Sequence, residues 1–191
     1  MPILFLGLWL GCLDPRRAAT TDWSLLTKTQ LTAAHQQQHQ AALAAREELF
    51  GQLMKRLETV LQADGPAQAV AVCKEEAPAI AQTVARNKQL RIGRTSFKLR
   101  NPAIQPPTWA RPFVEKKTPE VTFAAHRDGR LGVLLPIRLK GQCLICHGSA
   151  SQLSEAVLQQ LAANYPEDRA IGFAVGDLRG WFWVEVPAQT P

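Results

Sequence analysis

The stretch VTFAAHRDGRLGVLLPIRL, residues 121–139, carries the strongest fold signal in this 191-residue chain. Residues 121–127 and 130–139 each favour an extended strand, and the dipeptide Asp128-Gly129 between them is typical of a two-residue hairpin turn. The stretch therefore predicts an antiparallel hairpin. Pro136 cannot donate a hydrogen bond to a neighbouring strand, so it predicts an edge position or a bulge in the second strand.

The segments on either side of this hairpin carry comparable signals. They are an extended segment at 91–96, a proline-rich loop at 101–112, a helix at 151–163, and strands at 170–175 and 181–186 joined by a turn at 176–180. Short strands joined by turns, with few helices between them, favour a mostly antiparallel sheet.

Two helices are predicted ahead of the sheet. Apolar residues recur at helical spacing towards the end of 24–62, which predicts one long helix. Its Gln-rich N-terminal half has little apolar face, so we expect it to project from the core or to pack on a partner, for example in a homodimer. A second helix begins near Gly65-Pro66, because proline suits the first helical turn. It should kink at Pro78, whose ring crowds the carbonyl of Lys74. The fold class is therefore α+β.

The N-terminal segment has an apolar composition. Residues 1–12 resemble the apolar part of an export signal, and Cys12 would be the lipidated residue if this is a lipoprotein signal, which would anchor the chain in a membrane. We expect three parts: this segment, a long N-terminal helix within 13–62, and a domain over 63–191. The formal net charge is +6. Its Lys and Arg residues are scattered rather than clustered, so nucleic-acid binding is not expected.

The sequence Cys143-Leu144-Ile145-Cys146-His147 is the C-x-x-C-H pattern of c-type haem attachment. Two thiols add to the two vinyl groups of the porphyrin, and the adjacent histidine gives its imidazole nitrogen to iron. The prediction is one covalent haem c held by Cys143, Cys146 and His147. Attachment of this kind takes place outside the cytoplasm, so we expect a periplasmic or other extracytoplasmic location, with or without a membrane anchor.

Two other kinds of site use closely spaced cysteines. A zinc site would need a second pair of ligands at matching spacing, and the sequence near the motif shows none. A thioredoxin-like redox pair would open a helix within a parallel βαβ unit, and the helix at 151–163 does not have that context. The haem interpretation is therefore preferred.

Four blocks of the sequence resemble a known family. They are AVAVCKEEAPAIA (69–81), IGRTSFKLRNPAIQPPTW (92–109), CLICHG (143–148) and YPEDRAIGFAVGDLRGWFWVEV (165–186). The chain resembles the PAS-like c-type haem domain of bacterial sensor proteins, which also occurs in small stand-alone proteins. The resemblance implies a PAS-like antiparallel sheet flanked by helices, with haem in its pocket. Trp181-Phe182-Trp183 is bulkier than expected for that strand, so its indoles would narrow the pocket, cover a sheet face, or simply fill the core.

The second axial position on iron is the least determined part of the site. The resemblance implies Cys73 as this ligand, and the alternative for Cys73 is an inert core residue. His126 and Met54 are weaker candidates, predicted as a half-exposed strand residue and as core packing. An open position for a gas ligand is a further alternative. His35 and His39, four residues apart on a solvated helix, form a candidate metal pair outside the haem site.

Haem propionates require positive partners. Arg94 and Arg100 lie in the second family block, and the planar guanidinium suits a carboxylate, so one of them is the predicted partner. The alternative is a solvated basic strand.

Two functions fit these features. The first is a redox or gas sensor module that acts on a separate signalling partner, and the second is a small electron-transfer cytochrome with a redox partner. The sequence shows no acid–base constellation typical of a haem enzyme, so catalysis is not expected.

Overall fold

A computed structural model of the protein describes residues 22–188. The apolar segment at 1–12, with Cys12, lies outside the described residues. The strands are β1 (Trp23–Leu26), β2 (Arg91–Thr95), β3 (Thr122–His126), β4 (Leu131–Arg138) and β5 (Leu178–Val186). The helices are α1 (Ala33–Ala63), α2 (Gly65–Ala71), α3 (Ala77–Lys88), α4 (Arg111–Glu115), α5 (Leu144–His147) and α6 (Glu155–Asn164). The α+β class with a flanked antiparallel sheet is confirmed.

The strands form one antiparallel sheet in the order β1-β3-β4-β5-β2. The predicted hairpin is β3 and β4, and its turn places Gly129 at φ +86°, a conformation that favours glycine. Strand β4 is central rather than an edge strand. However, its pairing with β3 ends at Leu134, so Pro136 has only β5 beside it and no ladder bond is lost there. A shift in register follows between Ile137 and Arg138.

The long helix was predicted to start at residue 24, and that start is wrong. Residues 23–26 are instead the edge strand β1, which pairs with β3. Helix α1 begins after Thr32, whose side chain accepts a hydrogen bond from the backbone N–H of His35 and so caps the helix. Pairing between β1 and β3 joins residues about 100 positions apart, which local helical propensity does not reveal.

The N-terminal half of α1 packs on the sheet and does not project from the core. Ala42, Ala45 and Leu49 are fully buried against apolar side chains of β3, β4 and β5. Small alanines allow the helix to approach the strands closely, so this half needs no row of large apolar residues. The Gln38 side chain is also buried, and its amide donates to the carbonyl oxygens of Gly129 and Pro187, both at 2.9 Å.

The expected kink near Pro78 takes the form of a π-helical segment, Val72–Glu76, between α2 and α3. The N–H of Ala77 donates to the carbonyl of Val72, five residues back. Pro78 has no N–H to give and crowds the preceding turn, so the backbone widens there. Cys73 lies inside this widened turn.

Residues 170–175 were predicted as a strand and are not one. They form an irregular segment against α5, and β5 begins earlier than expected, at Leu178. Trp181 and Trp183 belong to the sheet face opposite α1, where they pack with Trp109 and Ala110. Phe182, which lies between these two tryptophans, faces the helices instead. The two indoles therefore do not narrow the space between the sheet and the helices. Across the described residues, no helix is both long and apolar enough to cross a membrane.

Candidate functional site

A cavity of about 480 Å³ lies between α1, the Val72–Glu76 segment, the C-x-x-C-H segment and one end of the sheet. That volume is within the range of roughly 300–1,000 Å³ typical of cofactor sites. Its wall includes every residue predicted for the haem site: Cys73, Arg94, Arg100, Cys143, Cys146 and His147. The apolar part of the wall is Phe50, Leu53, Met54, Leu57, Ala69, Val70, Ile137 and Phe182, among others.

The C-x-x-C-H segment is a tight helical turn held by the irregular segment after α6. Cys143 ends a short 3₁₀ turn, and α5 carries Cys146 and His147. Phe173 N–H donates to the His147 carbonyl at 3.0 Å, and Gly172 N–H donates to the Gly148 carbonyl at 2.7 Å. These bonds use backbone groups that a strand would have used for a ladder, which explains why 170–175 is not a strand.

The histidine of the motif is held in one tautomer. Its Nδ1 lies 2.7 Å from the carbonyl oxygen of Ala170, which can only accept, so Nδ1 carries the proton. Burial lowers the pKa of His147 well below its usual value, and the positive charges of Arg179 and Arg100 lower this pKa further. The imidazole is therefore neutral, and Nε2 keeps the lone pair that a metal requires.

Three cysteines line the cavity, Cys73, Cys143 and Cys146. Burial raises the pKa of the Cys146 thiol, and negative charge on Cys73 or Cys143 would raise it further. All three are free thiols and none is fully buried. Cys73, on the widened turn, is thus brought to the cavity that holds the motif, about 70 residues away in sequence.

The two arginines predicted to bind propionates differ in their surroundings. Arg100 lines the cavity, but its Nε donates to Asp168 at 3.1 Å and its Nη2 donates to the Cys146 carbonyl at 2.6 Å. Its guanidinium therefore braces the motif. Arg94 lines the same cavity from β2.

A third arginine of the wall, Arg179, was not predicted. Its Nη1 donates to the Lys98 carbonyl at 3.1 Å, but its Nε is buried and has no hydrogen-bond partner among residues 22–188. Burial lowers the pKa of Arg179 to about 10, and the charges of Arg100 and Arg94 contribute. Residues 176–180 were predicted as a turn between two strands, so Arg179 was not expected in the site.

The remaining candidate ligands differ in whether they line the cavity. Met54 was predicted as core packing and lies in the cavity wall, where its thioether is a further sulfur donor beside the cysteines. His126 lies on β3 with its Nδ1 2.6 Å from Asp128, and its ring contacts Trp23. His35 takes part in the cap of α1, while His39 packs edge-on against Phe123 at 4.9 Å. None of these three histidines is part of the cavity wall.

The cavity fits a c-type haem on grounds that go beyond the motif. Haem would bring two carboxylates into a wall where Arg94, Arg100 and Arg179 are accompanied by one buried partner carboxylate, Asp168. The buried Nε of Arg179 is an unfilled donor that a propionate oxygen would satisfy. Apolar side chains of α1 and Phe182 would contact the porphyrin faces.

Fold and site together define an α+β domain whose antiparallel sheet and helices enclose a pocket lined by cysteines, a histidine and arginines. The family model described as Tll0287-like (Tll0287) matches residues 22–187. The chain therefore belongs to the Tll0287-like family.

One solved structure is similar in fold. It is the crystal structure of the cyanobacterial haem protein Tll0287, with 23% sequence identity and a TM-score of 0.57. The alignment covers 81% of this chain and 98% of that one. At this identity the likeness shows the shared fold. Among curated proteins, no sequence matches the chain significantly.

Proposed function

We propose that the protein binds one covalent haem c through Cys143 and Cys146 and ligates its iron with Nε2 of His147. The observation that carries this proposal is the bond from His147 Nδ1 to the Ala170 carbonyl. Because Nδ1 carries the proton, Nε2 is the ring nitrogen of His147 that keeps a free lone pair. The His147 side chain lines the same cavity as the Cys143 and Cys146 thiols. That Tll0287 is described as a haem protein is consistent with the proposal.

The second axial ligand in this proposal is the Cys73 sulfur. The widened Val72–Glu76 turn brings Cys73 to the wall of the same cavity as His147. Bound haem would supply one-electron redox chemistry at the iron, and a thiolate ligand would favour its ferric state. Arg179 and Arg94 would hold the propionates, and Arg100 would keep the Cys146 carbonyl in place.

The role we propose is that of a redox or gas sensor module outside the cytoplasm, acting on a separate signalling protein. Cys73 lies on the distorted turn between α2 and α3. Its release from iron would therefore directly affect the positions of these two helices. These helices pack against α1, which spans one face of the sheet. A change at the iron therefore has a mechanical route to the outer surface of α1. The sensor role also rests on the resemblance of the four sequence blocks.

A second candidate function is electron transfer. Sulfur and imidazole donors both line the cavity, which favours an iron with two filled axial positions, and such an iron suits an electron carrier. In this case the partner would be another redox protein.

The decisive test is mass spectrometry of the protein matured in a host competent for cytochrome c assembly. We expect the polypeptide mass plus one haem, and loss of that increment in the Cys143→Ala/Cys146→Ala variant. Cys73→Ala is the matched control and should retain covalent haem. A bare polypeptide mass in the unmodified protein would refute the proposal.

Carbon monoxide then separates the two roles. Ready formation of a ferrous carbon monoxide spectrum favours the sensor, because it requires an axial position that is open or that opens on reduction. Iron that stays six-coordinate in both oxidation states and resists carbon monoxide favours the electron carrier.

A further inference from the structure

Arg100 and Asp168 form a buried ion pair next to the C-x-x-C-H segment. Their side chains are 8% and 9% exposed, and Arg100 Nε lies 3.1 Å from Asp168 Oδ2. Removing two charges from water is costly, and a buried pair seldom stabilises a fold more than apolar packing would. A buried pair at this position therefore calls for a role besides stability.

Each partner of the pair is connected to His147 through hydrogen bonds to the backbone of a neighbouring residue. Arg100 Nη2 donates to the carbonyl of Cys146, the residue before His147, at 2.6 Å. Asp168 Oδ1 accepts from the N–H of Ala170 at 2.7 Å. The carbonyl of that same Ala170 accepts from His147 Nδ1 at 2.7 Å.

The two charges also act on one shared oxygen. Arg100 Nη2 lies 3.5 Å from the Ala170 carbonyl oxygen, so its cation draws electron density from the acceptor of the His147 bond. Asp168, bonded to Arg100, offsets part of that pull. A stronger acceptor at Nδ1 gives the imidazole more anionic character and makes it a stronger donor to ferric iron.

We propose that Arg100 and Asp168 are positioning residues that orient the His147 ring and set the strength of its Nδ1 hydrogen bond, and thereby tune the reduction potential of the haem. The proposal rests on the proposed function, because it takes His147 as the iron ligand. The cation weakens the Nδ1 bond and raises the potential, and the carboxylate does the opposite.

Near-isosteric substitutions test this, because the two charges have opposite predicted effects. Arg100→Gln should lower the reduction potential of the holoprotein, and Asp168→Asn should raise it. The reduction potential of the double variant should lie between those of the two single variants. Its shift should differ from the sum of the two single shifts, because the residues are in contact. The His147 Nδ1–H resonance in the proton NMR spectrum should move in opposite directions in the two single variants.

The matched control is Arg169→Gln. It removes the same charge from an exposed side chain one residue beyond Asp168, where solvent screens it. We expect both the potential and the Nδ1–H resonance to stay at their wild-type values. Arg100→Lys keeps the charge but cannot bridge Asp168 and Cys146 as a fork does, so it should broaden the ferric electron paramagnetic resonance signal while largely retaining the potential.

The outcomes distinguish the two proposals. Shifts of the same sign in Arg100→Gln and Asp168→Asn, or a stationary Nδ1–H resonance in both, would overturn the positioning role while covalent haem remained. Absence of haem from the unmodified protein would refute the proposed function itself. If Arg100→Gln gives no holoprotein, the raised potential expected for Asp168→Asn and the broadened ferric electron paramagnetic resonance signal expected for Arg100→Lys decide, and absence of both would overturn the positioning role.

Discussion

Arg179 donates through Nη1 to the carbonyl oxygen of Lys98 at 3.1 Å, and this bond holds its guanidinium in the cavity wall with Nε unpartnered among the described residues. A buried cationic group with an unsatisfied donor costs free energy unless a ligand completes its bonds. A haem propionate would remove that cost.

We therefore predict that Arg179→Met stabilises the protein without haem and destabilises the protein with haem. Each change should be about 1–3 kcal/mol in the free energy of unfolding, the cost of an unsatisfied buried donor. Thermal or denaturant unfolding of the holoprotein and of the Cys143→Ala/Cys146→Ala apoprotein would measure both. Arg138→Met, at an exposed arginine, is the control. Equal effects in the two states would argue against a propionate at Arg179.

Cys73→Ala should change the ferric low-spin spectrum and raise the reduction potential. A thiolate is an anion that stabilises ferric iron, so losing it favours the reduced state. Absorption and electron paramagnetic resonance spectra, with a redox titration, provide the measurement. Met54→Leu is the control, because it removes the thioether sulfur from the wall while keeping a similar side-chain volume. A ferric spectrum unchanged by Cys73→Ala would remove Cys73 from the iron.

Gln38→Ala should lower the free energy of unfolding by about 1–3 kcal/mol, because it removes the buried amide that donates to the carbonyls of the β3–β4 turn and of the end of β5. Denaturant unfolding would measure the loss. The adjacent Gln37 is exposed, so Gln37→Ala should change stability by less than about 0.5 kcal/mol. Equal losses in the two variants would show that the hydrogen bonds of Gln38 contribute little.

The phenol of Tyr165 should lose its proton only at unusually high pH. Burial raises the pKa of Tyr165 to about 12 from its ordinary value of 10.0, and negative charge on Cys73 acts in the same direction. A raised pKa means that the folded protein holds the phenol proton more tightly than the unfolded chain does. The resulting stabilisation is complete below pH 10 and is lost as pH rises towards 12.

The chain contains a single tyrosine, so the ultraviolet absorbance of phenolate reports this group alone. Tyr165→Phe provides the baseline and should show no such transition. A midpoint near the ordinary value would indicate that Tyr165 is open to solvent and does not line a closed cavity.

Local signals in the sequence were sufficient for several parts of the structure. The Asp128-Gly129 turn predicted the hairpin of β3 and β4, since turn geometry depends on a few adjacent residues. Pro78 predicted a distorted helix, because a missing N–H and a ring clash act within one turn. The spacing of Cys143, Cys146 and His147 identified the candidate site, because all three residues lie within one short segment. Each of these features is determined over fewer than about ten residues.

Other features depend on contacts between distant parts of the folded chain. Strand β1 forms because it pairs with β3. Gln38 is buried because the β3–β4 turn and the end of β5 meet over its side chain. Arg179 faces the cavity because β5 begins at Leu178. Likewise, the bond from His147 to Ala170 requires a loop that is distant in sequence to lie against α5. Such contacts depend on long-range packing and on burial, and no local propensity encodes them. Local sequence therefore specifies which chemical groups the site contains, whereas long-range packing specifies which of them are buried together, how they are bonded, and what charge they carry.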